Sequence, residues 1–190
     1  MDIIIKDFSD WRTKARELLK QKVSPKEINW GDARADFQPL LLDITTTRPS
    51  LSHNVSLPKN FLLQAEYVGA ARDPLRWQLL YSIAFRIKNE NPHLFQIAID
   101  SEISRFQNLY KSVRRDIHKM HAFVRFKEVD GRYIAWHGPE HYSLRLGSPF
   151  FVRRFGDKPW SIFTPDESAH WDLTELRFAE GLLQRDFEKK

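Results

Sequence analysis

Apolar and polar positions in the first 120 residues repeat with the period of an α-helix. The pattern predicts four helices, over residues 7–23, from Pro58, from Pro74 and over residues 101–120. The side chains expected on their apolar faces are Trp11, Ala15, Leu18 and Leu19, then Phe61, Leu62, Ala65 and Val68, then Trp77, Leu80, Tyr81, Ala84 and Ile87, and finally Ile103, Phe106, Tyr110, Val113, Ile117 and Met120.

Residues 26–56 show neither the apolar period of a helix nor that of a strand, and "TTTRPSLS" is their most linker-like stretch. We therefore expect an irregular segment with a boundary near residue 52. This divides the chain into an amino-terminal helical segment with its linker (1–52), a main domain (53–181) and a charged tail (182–190).

After residue 120 the apolar period shortens to that of a β-strand. "AFVRFKEVDGRYIAWH" predicts two strands joined by a hairpin at Asp130-Gly131, and "WSIFT" and "LRFAEG" predict two more. A short helix is expected at "PFFVRRF", and Thr164 with Glu167 has the spacing of a capping box that would start another. Helices followed by a small antiparallel sheet with short helices indicate an α+β fold.

The hairpin turn sets a register. Counting back from Asp130-Gly131 places Lys127 opposite Ile134 and Arg125 opposite Trp136. A cation beside an indole is typical of a stacking platform for nucleobases, and it is equally an ordinary cross-strand pair. Both interpretations remain open at this stage.

The long helix carries a basic flank next to its apolar stripe. Because each residue turns about 100°, one side of the helix collects the cations and a histidine: Lys111, Arg114, Arg115 and His118, with Lys119 beside them. Cations favour a helix carboxyl end, and they also suit a phosphate-binding face. Asp116 borders the stripe, and we expect it to pair with an arginine of "VRRF" and so join this helix to the later short one.

Composition narrows the function classes. The chain has 190 residues and a formal charge of +5, which favours anionic partners such as nucleic acid. It contains no cysteine, which excludes disulfides, thiolate metal sites and a cysteine nucleophile on this chain. "MDIIIKDF" does not match a signal peptide, and no apolar run reaches the roughly 20 residues of a membrane helix. We expect a cytoplasmic protein without a membrane partner.

Histidines and carboxylates supply the candidates for acid–base chemistry: His118, His141, Asp166 and His170. Their spacing does not reproduce a metal-binding helix, so hydrogen-bonding roles are favoured over a metal and no cofactor is expected on this chain. Glycine-rich phosphate loops, dinucleotide fingerprints and nucleophile elbows are also missing from the sequence.

Four strings, "VRRDIHKMHAFVRFKEV", "YIAWHGPEH", "PFFVRRFGDKPWSIFTPDESAHWD" and "LRFAEG", occur here in this order. They resemble an uncharacterised bacterial domain family labelled "probable DNA metabolism protein", from about Val55 to Gly181. The family is associated with a radical-SAM protein of DNA modification or repair, and some members are fused to an X-type uracil-DNA glycosylase. The front segment, "FSDWRTKARELLKQKVSPKEINW", resembles the amino-terminal part of those fused members.

Two features of the chain depart from that family. Its members continue past the position of Gly181 into a further helical segment, whereas this chain reads "LLQRDFEKK". We therefore expect a shortened domain or part of a longer fusion. Glycosylase motifs are missing, and without cysteines the chain cannot perform the radical chemistry of the partner.

The resemblance implies a DNA-repair context, and the leading hypothesis is an accessory domain that binds DNA beside a glycosylase or radical-SAM partner. The side chains expected to contact nucleic acid are Lys111, Arg114, Arg115, Lys119, Arg125, Trp136, Arg153, Arg154 and Trp160. Two alternatives stay open: a repair enzyme that uses the histidine and aspartate candidates, and a module that docks a partner protein.

Overall fold

A computed structural model describes residues 1–34 and 56–189. Its contacts divide the chain into two compact units. Unit 1 comprises Met1–Gly69 and Asp73–Tyr110, and unit 2 comprises Ala70–Arg72 and Lys111–Lys190. The boundary predicted near residue 52 lies outside the described residues. No helix in the described part of the chain combines the length and apolar content needed to cross a membrane.

Helices dominate the first part of the chain and strands the second, which confirms the α+β class. In chain order the elements are β1 (Asp2–Ile5), α1 (Phe8–Lys20), β2 (Asn29–Asp32), α2 (Lys59–Gly69), α3 (Arg76–Asn89), α4 (Ser101–Phe123), β3 (Lys127–Val129), β4 (Arg132–Trp136), α5 (Leu144–Arg154), β5 (Trp160–Phe163), β6 (Glu167–Trp171), β7 (Leu176–Glu180) and α6 (Gln184–Phe187).

All four predicted amino-terminal helices are present, and their apolar faces are largely buried as expected. Helix α1 begins where Asp7 caps it, because the Asp7 carboxylate accepts a hydrogen bond of 2.9 Å from the backbone N–H of Asp10. Trp11 and Leu19 on its apolar face are each 1% exposed. Tyr110, half-buried, is the exception on the stripe of α4.

Two strands in unit 1 escaped the sequence pattern. β1 and β2 pair in parallel, with Ile3 opposite Trp30. The expectation that residues 26–56 are irregular is therefore wrong for β2. "NWGD" contains one large apolar side chain in four residues, too few to display the alternation of a half-buried strand.

The end of β2 supplies a buried charge to unit 1. Asp32 is 9% exposed and forms an ion pair with Arg76, which is 2% exposed. The guanidinium also donates to the carbonyls of Gly69 (3.0 Å) and Asp73 (3.1 Å). The buried cation is thus surrounded by acceptors, the condition under which burial of charge is tolerated.

Unit 2 is built on a five-stranded sheet of order β3-β4-β5-β6-β7. The Asp130-Gly131 hairpin is confirmed: both residues have positive φ, 50° and 74°, as a type I′ turn requires. The register of Lys127 opposite Ile134 is also confirmed. The sheet is antiparallel except for the β4–β5 pair, which is parallel because α5 provides the crossover between these strands.

Two helix starts were predicted wrongly. Helix α5 begins at Leu144, five residues before Pro149, which lies inside it. No helix begins at Thr164, because Thr164 and Glu167 close a turn between β5 and β6: Thr164 N–H donates to the Glu167 carbonyl at 3.0 Å. The Glu167 N–H also donates to the Thr164 hydroxyl. A capping box contains the same hydrogen bond, so this local motif is compatible with a turn and with a helix start.

One face of the sheet forms the core of unit 2. Its buried members, from α4, the segment after it, the sheet and α5, are Met120, Val124, Ala135, Leu144, Phe151, Trp160, Ile162 and Ala169. At the opposite face, the predicted charged tail contributes α6, and Phe187 contacts Phe163 with ring centroids 5.8 Å apart. The sheet itself contributes Tyr133 and Trp160 to the candidate site.

The Asp32–Arg76 pair should dominate the stability of unit 1. We predict that Asp32→Ala lowers the free energy of unfolding by about 3–5 kcal/mol, because it leaves the buried guanidinium without its counter-charge. Urea unfolding followed by tryptophan fluorescence measures the loss. Glu17→Ala, which removes the carboxylate of a more exposed pair with Lys20, serves as the control and should cost less than about 1 kcal/mol. Equal small losses in both variants would contradict the prediction.

Candidate nucleic-acid interface

A cavity of about 380 Å³ lies in unit 2. Six of its lining side chains are aromatic: Phe126, Tyr133, Phe150, Phe151, Phe155 and Trp160. The rings meet mostly edge to face, as for Phe126 with Phe151 and with Phe155, at centroid distances of 5.8 and 5.6 Å. Such contacts hold aromatic walls in defined orientations. The cavity therefore has the size and the apolar lining of a small-molecule or nucleobase site.

Three cations stand among these aromatic walls: Arg125, Arg154 and Lys158. Arg125 donates to the carbonyls of Ala122 (2.7 Å) and Val124 (3.0 Å) just past the end of α4. The Arg154 guanidinium carbon lies 5.3 Å from the centre of the Phe155 ring. Contacts with carbonyls and rings keep these side chains in place and leave their charge available.

Lys158 is held by an aromatic neighbour. Its ammonium donates to the Tyr133 hydroxyl at 3.2 Å and lies 4.6 Å from the centre of that ring. This hydrogen bond raises the pKa of Lys158. Within residues 1–34 and 56–189, none of the three cavity cations forms an ion pair with a carboxylate. The cavity is therefore a positively charged site.

Two further groups complete its polar surface. The indole N–H of Trp160, in a side chain only 2% exposed, has no hydrogen-bond partner among the described residues. The His121 ring stacks on Phe150 with centroids 4.1 Å apart, and its Nε2 lies 3.0 Å from the Gly147 carbonyl. Because a carbonyl only accepts, His121 Nε2 carries a proton and donates it. Burial lowers the pKa of His121 and so favours its neutral form.

The structure brings some predicted contact residues together and separates others. Arg125, Arg154 and Trp160 line the cavity, but Arg125 does not pair with Trp136, because the β3 ladder begins at Lys127. The cross-strand pair of Arg125 with Trp136, on which both interpretations rested, is therefore not formed. Trp136 instead donates from Nε1 to the Leu182 carbonyl at 2.8 Å.

The basic flank of α4 is solvent-accessible. Lys111, Arg114 and Arg115 are exposed, while Lys119 forms an ion pair with Glu140. Arg153, also exposed, precedes the cavity residue Arg154. The flank thus remains a surface that phosphates can reach.

Sequence reasoning missed several cavity residues, notably Phe126, Tyr133, Phe150 and Lys158. Phe126 and Phe150 have the apolar pattern of core residues, and nothing in a single sequence separates a core phenylalanine from one beside a cavity. A usable signal was the grouping of three phenylalanines with two arginines in "PFFVRRF".

Asp116 anchors the loop that precedes α5. Its buried carboxylate, 2% exposed, accepts from the backbone N–H groups of Glu140 (3.0 Å) and His141 (3.1 Å) and from the Ser143 hydroxyl (2.7 Å). These donors take the place of the arginine of "VRRF" that the sequence suggested. The structural role expected of Asp116 therefore has a different partner, because backbone N–H groups satisfy a carboxylate as a guanidinium does.

His141 is locked in one tautomer. Its Nδ1 accepts from the backbone N–H of Arg72 at 3.2 Å, so in the neutral ring the proton is on Nε2, which donates to the Ser112 hydroxyl 2.9 Å away. A ring that donates to a serine cannot remove the proton of that serine. Asp116 accepts a hydrogen bond from the backbone N–H of His141, not from its ring. Ser112, His141 and Asp116 therefore do not form a catalytic triad.

His170 takes part in a chain of hydrogen bonds across β5 and β6, and the direction of each bond can be assigned. The Ser168 hydroxyl donates to the Glu180 carbonyl at 2.7 Å, so it accepts from His170 Nε2 at 2.8 Å. Nδ1 then accepts from the Ser161 hydroxyl, also at 2.8 Å. Burial, and secondarily the charge of Arg132, lower the pKa of His170. Both ring nitrogens are thus occupied by serine hydroxyls.

The other two acid–base candidates lie in different surroundings. Asp166 forms an ion pair with Arg72, whose guanidinium also lies 4.4 Å from the centre of the Tyr142 ring. His118 is exposed, and in the described part of the chain no hydrogen bond orients its ring. Arg72 links Asp166 to His141 through its side chain and backbone, but no hydrogen bond joins either residue to His118 or His170. The four candidates do not converge on one hydrogen-bonded centre.

Among the residues described, no group of three or more metal-ligating side chains is suitably arranged to hold a metal ion.

Comparisons with known proteins place the chain only at the level of a family. A family model described as a domain of unknown function, DUF4130, matches residues 74–186. This confirms the uncharacterised domain that the four sequence strings suggested. Comparisons with curated proteins and with solved structures returned no match.

Asp116→Asn should release the loop before α5. Asparagine offers one acceptor oxygen where the carboxylate offers two, so we expect a loss of about 3 kcal/mol in the free energy of unfolding of unit 2. The backbone amides of Glu140 and His141 should exchange hydrogen faster, which mass spectrometry of exchanged peptides measures. Asp157→Asn, on an exposed turn, is the control. Unchanged protection of both amides in the Asp116 variant would be the contrary result.

Stability should fall as the pH drops below about 6.5. Burial lowers the pKa of His121, His137, His141 and His170 below the usual value of 6.5. Between the lowered folded-state pKa and 6.5, the unfolded chain binds more protons, so stability present above pH 6.5 is progressively lost below it. Urea unfolding at a series of pH values tests this, and His170→Gln should flatten the slope. A free energy of unfolding that stays constant from pH 7 down to 5 would refute it.

Proposed function

We propose that this chain, which belongs to the DUF4130 family, binds nucleic acid as an accessory domain in DNA repair. The family is described as a domain of unknown function, so membership assigns no activity. The observation that carries the proposal is the group of three cations beside an aromatic cavity, none of which forms an ion pair with a carboxylate in the part of the chain that the structure describes. Cations position phosphates, and aromatic rings stack on exposed bases, so the two together are typical of single-strand recognition.

Charge on the rest of the molecule supports the same proposal. The formal charge is +5, and the exposed α4 cations Lys111 and Arg115 add a second basic surface in unit 2. Long-range attraction of this kind speeds the encounter with a polyanion. The cavity would then supply the short-range contacts.

A binding role accounts for the histidines better than catalysis does. His141 donates to Ser112, and His170 holds two serine hydroxyls, so both rings have structural uses. His118 lacks an orienting partner in the described residues, whereas a catalytic base is normally held in place by a third group. The repair-enzyme hypothesis remains the second candidate, and its strongest support is the neutral form of His170 with a hydroxyl on Nδ1.

The chemistry of repair would come from a partner in this proposal. The resemblance of the four sequence strings points to a uracil-DNA glycosylase or a radical-SAM protein, and the accessory domain would hold the strand for it. A docking module for such a partner is the third candidate. It differs in one measurable respect, since a protein interface with an apolar core responds weakly to salt.

Binding of labelled single- and double-stranded DNA over a series of salt concentrations tests the proposal. We expect the single strand to bind, with affinity falling linearly on a log–log plot against salt. The variant Arg125→Gln/Arg154→Gln should bind more weakly and lower the slope by about 1.4, since each single-strand phosphate contact contributes about 0.7.

Arg12→Gln/Arg16→Gln is the matched control, because it removes the same charge from exposed positions on α1 in unit 1. It should leave the slope nearly unchanged. Equal effects of the two double variants would show that net charge alone drives binding and would contradict a site at the cavity. No binding at low salt would overturn the proposed function.

A further inference from the structure

We infer that the aromatic cavity accepts one unpaired nucleobase of a single strand, while the strand's phosphates lie on Arg125, Arg154 and Lys158. The inference rests on the proposed function and specifies which part of the nucleic acid enters. It makes the domain a reader of unpaired or extruded nucleotides rather than of intact duplex.

The dimensions of the cavity favour a single ring system. At about 380 Å³ it falls at the lower end of the range for ligand pockets, about 300–1,000 Å³. A base in duplex DNA is stacked on both faces and paired at its edge, so it cannot enter without leaving the helix. An unpaired base offers both faces to the aromatic walls, and the surrounding phenylalanines accept any base because every base has a π-face.

The unused polar groups are mainly donors, which defines the chemistry of the ligand. The Trp160 indole is a buried N–H without an acceptor in residues 1–34 and 56–189, and the three cations supply only N–H donors. A ligand that satisfies them must carry acceptors at two places. A nucleotide has carbonyl or ring-nitrogen acceptors on the base and anionic oxygens on the phosphate. A buried donor left unpaired costs free energy, so an acceptor that reaches Trp160 gains more than one on the surface.

An exposed aromatic residue beside the cavity indicates a strand rather than a free nucleotide. Phe123 is 69% exposed at the end of α4 and is followed directly by Val124, which lines the cavity. Exposed phenylalanines of this kind provide stacking surfaces for neighbouring bases. Three separate cations also exceed the need of one monophosphate. We therefore assign the base in the cavity to a strand whose next base stacks on Phe123.

The test follows the indole N–H signals of the full chain by nitrogen–proton NMR, with the Trp160 signal identified from Trp160→Phe. The probes are a thymidine hexanucleotide, a hexamer with the same backbone but no bases, thymidine monophosphate and a short duplex. We expect the Trp160 signal to shift with the hexanucleotide alone. The base-free hexamer should bind at least roughly 5- to 150-fold more weakly, the factor expected for loss of the cavity base alone, because it also loses the base on Phe123.

Three variants test whether the Trp160 shift arises from a base in the cavity. Val124→Phe should fill part of the cavity and abolish the Trp160 shift, with unchanged signals of the other indoles showing that the fold is kept. Phe123→Ala, at an exposed position, should weaken the hexanucleotide several-fold and leave the Trp160 shift at saturation intact. Leu63→Ala, which truncates another exposed apolar side chain at a position in unit 1, is the control and should change neither.

Each contrary outcome has a distinct meaning. Equal affinity for the base-free and complete hexamers, with no Trp160 shift, would overturn base insertion while the proposed nucleic-acid binding stands. A Trp160 shift with thymidine monophosphate at equal affinity would overturn the assignment to a strand. Absence of binding by every probe at low salt would remove the proposed function and this inference together.

Discussion

Unit 2 depends on one buried carboxylate, that of Asp116. The side chain sits on α4, and its buried oxygens are satisfied because two backbone N–H groups and a serine hydroxyl donate to them. These donors belong to the loop over residues 140–143, whose last member, Ser143, immediately precedes α5. The same carboxylate therefore ties the long helix to the start of the helix that carries Phe150, Phe151 and Arg154.

The candidate site follows from that connection. Helix α5 and the segment after α4 supply aromatic walls and two arginines, and the sheet supplies Tyr133 and Trp160. Because the cations contact carbonyls and rings and form no ion pair with a carboxylate among the described residues, their charge remains available to an anion. The site presents donors around an aromatic interior, and this combination favours a nucleotide over an apolar ligand.

Elements with strong local signals could be predicted from the sequence. The helices of unit 1 have long apolar stripes, and Asp130-Gly131 accepts positive φ values that few other pairs tolerate. β2 was missed because parallel pairing with β1 stabilises a stretch without alternation. The Thr164 motif was misassigned because side-chain caps serve turns and helix starts alike, and strand pairing across the sheet decided between them.

The candidate site was predictable only in part, for a related reason. Arg125, Arg154 and Trp160 stood out by residue type, but their meeting at one cavity depends on tertiary packing. Asp116 was recognised as structural, yet its partners are backbone N–H groups, which every residue except proline has and no sequence pattern marks. The phenylalanines around the cavity have the sequence pattern of core residues because they also pack against the core of unit 2, and only the side that faces the cavity is open.

The most direct test of the central claim is ultraviolet cross-linking of a thymidine oligonucleotide to the full chain at low salt, with the linked peptides mapped by mass spectrometry. We predict links within residues 146–153, the peptide that contains Phe150 and Phe151, and at Trp160. The yield of these links should fall in Arg125→Gln/Arg154→Gln. Links confined to unit 1, or an unchanged pattern in that variant, would contradict a nucleic-acid site at the aromatic cavity.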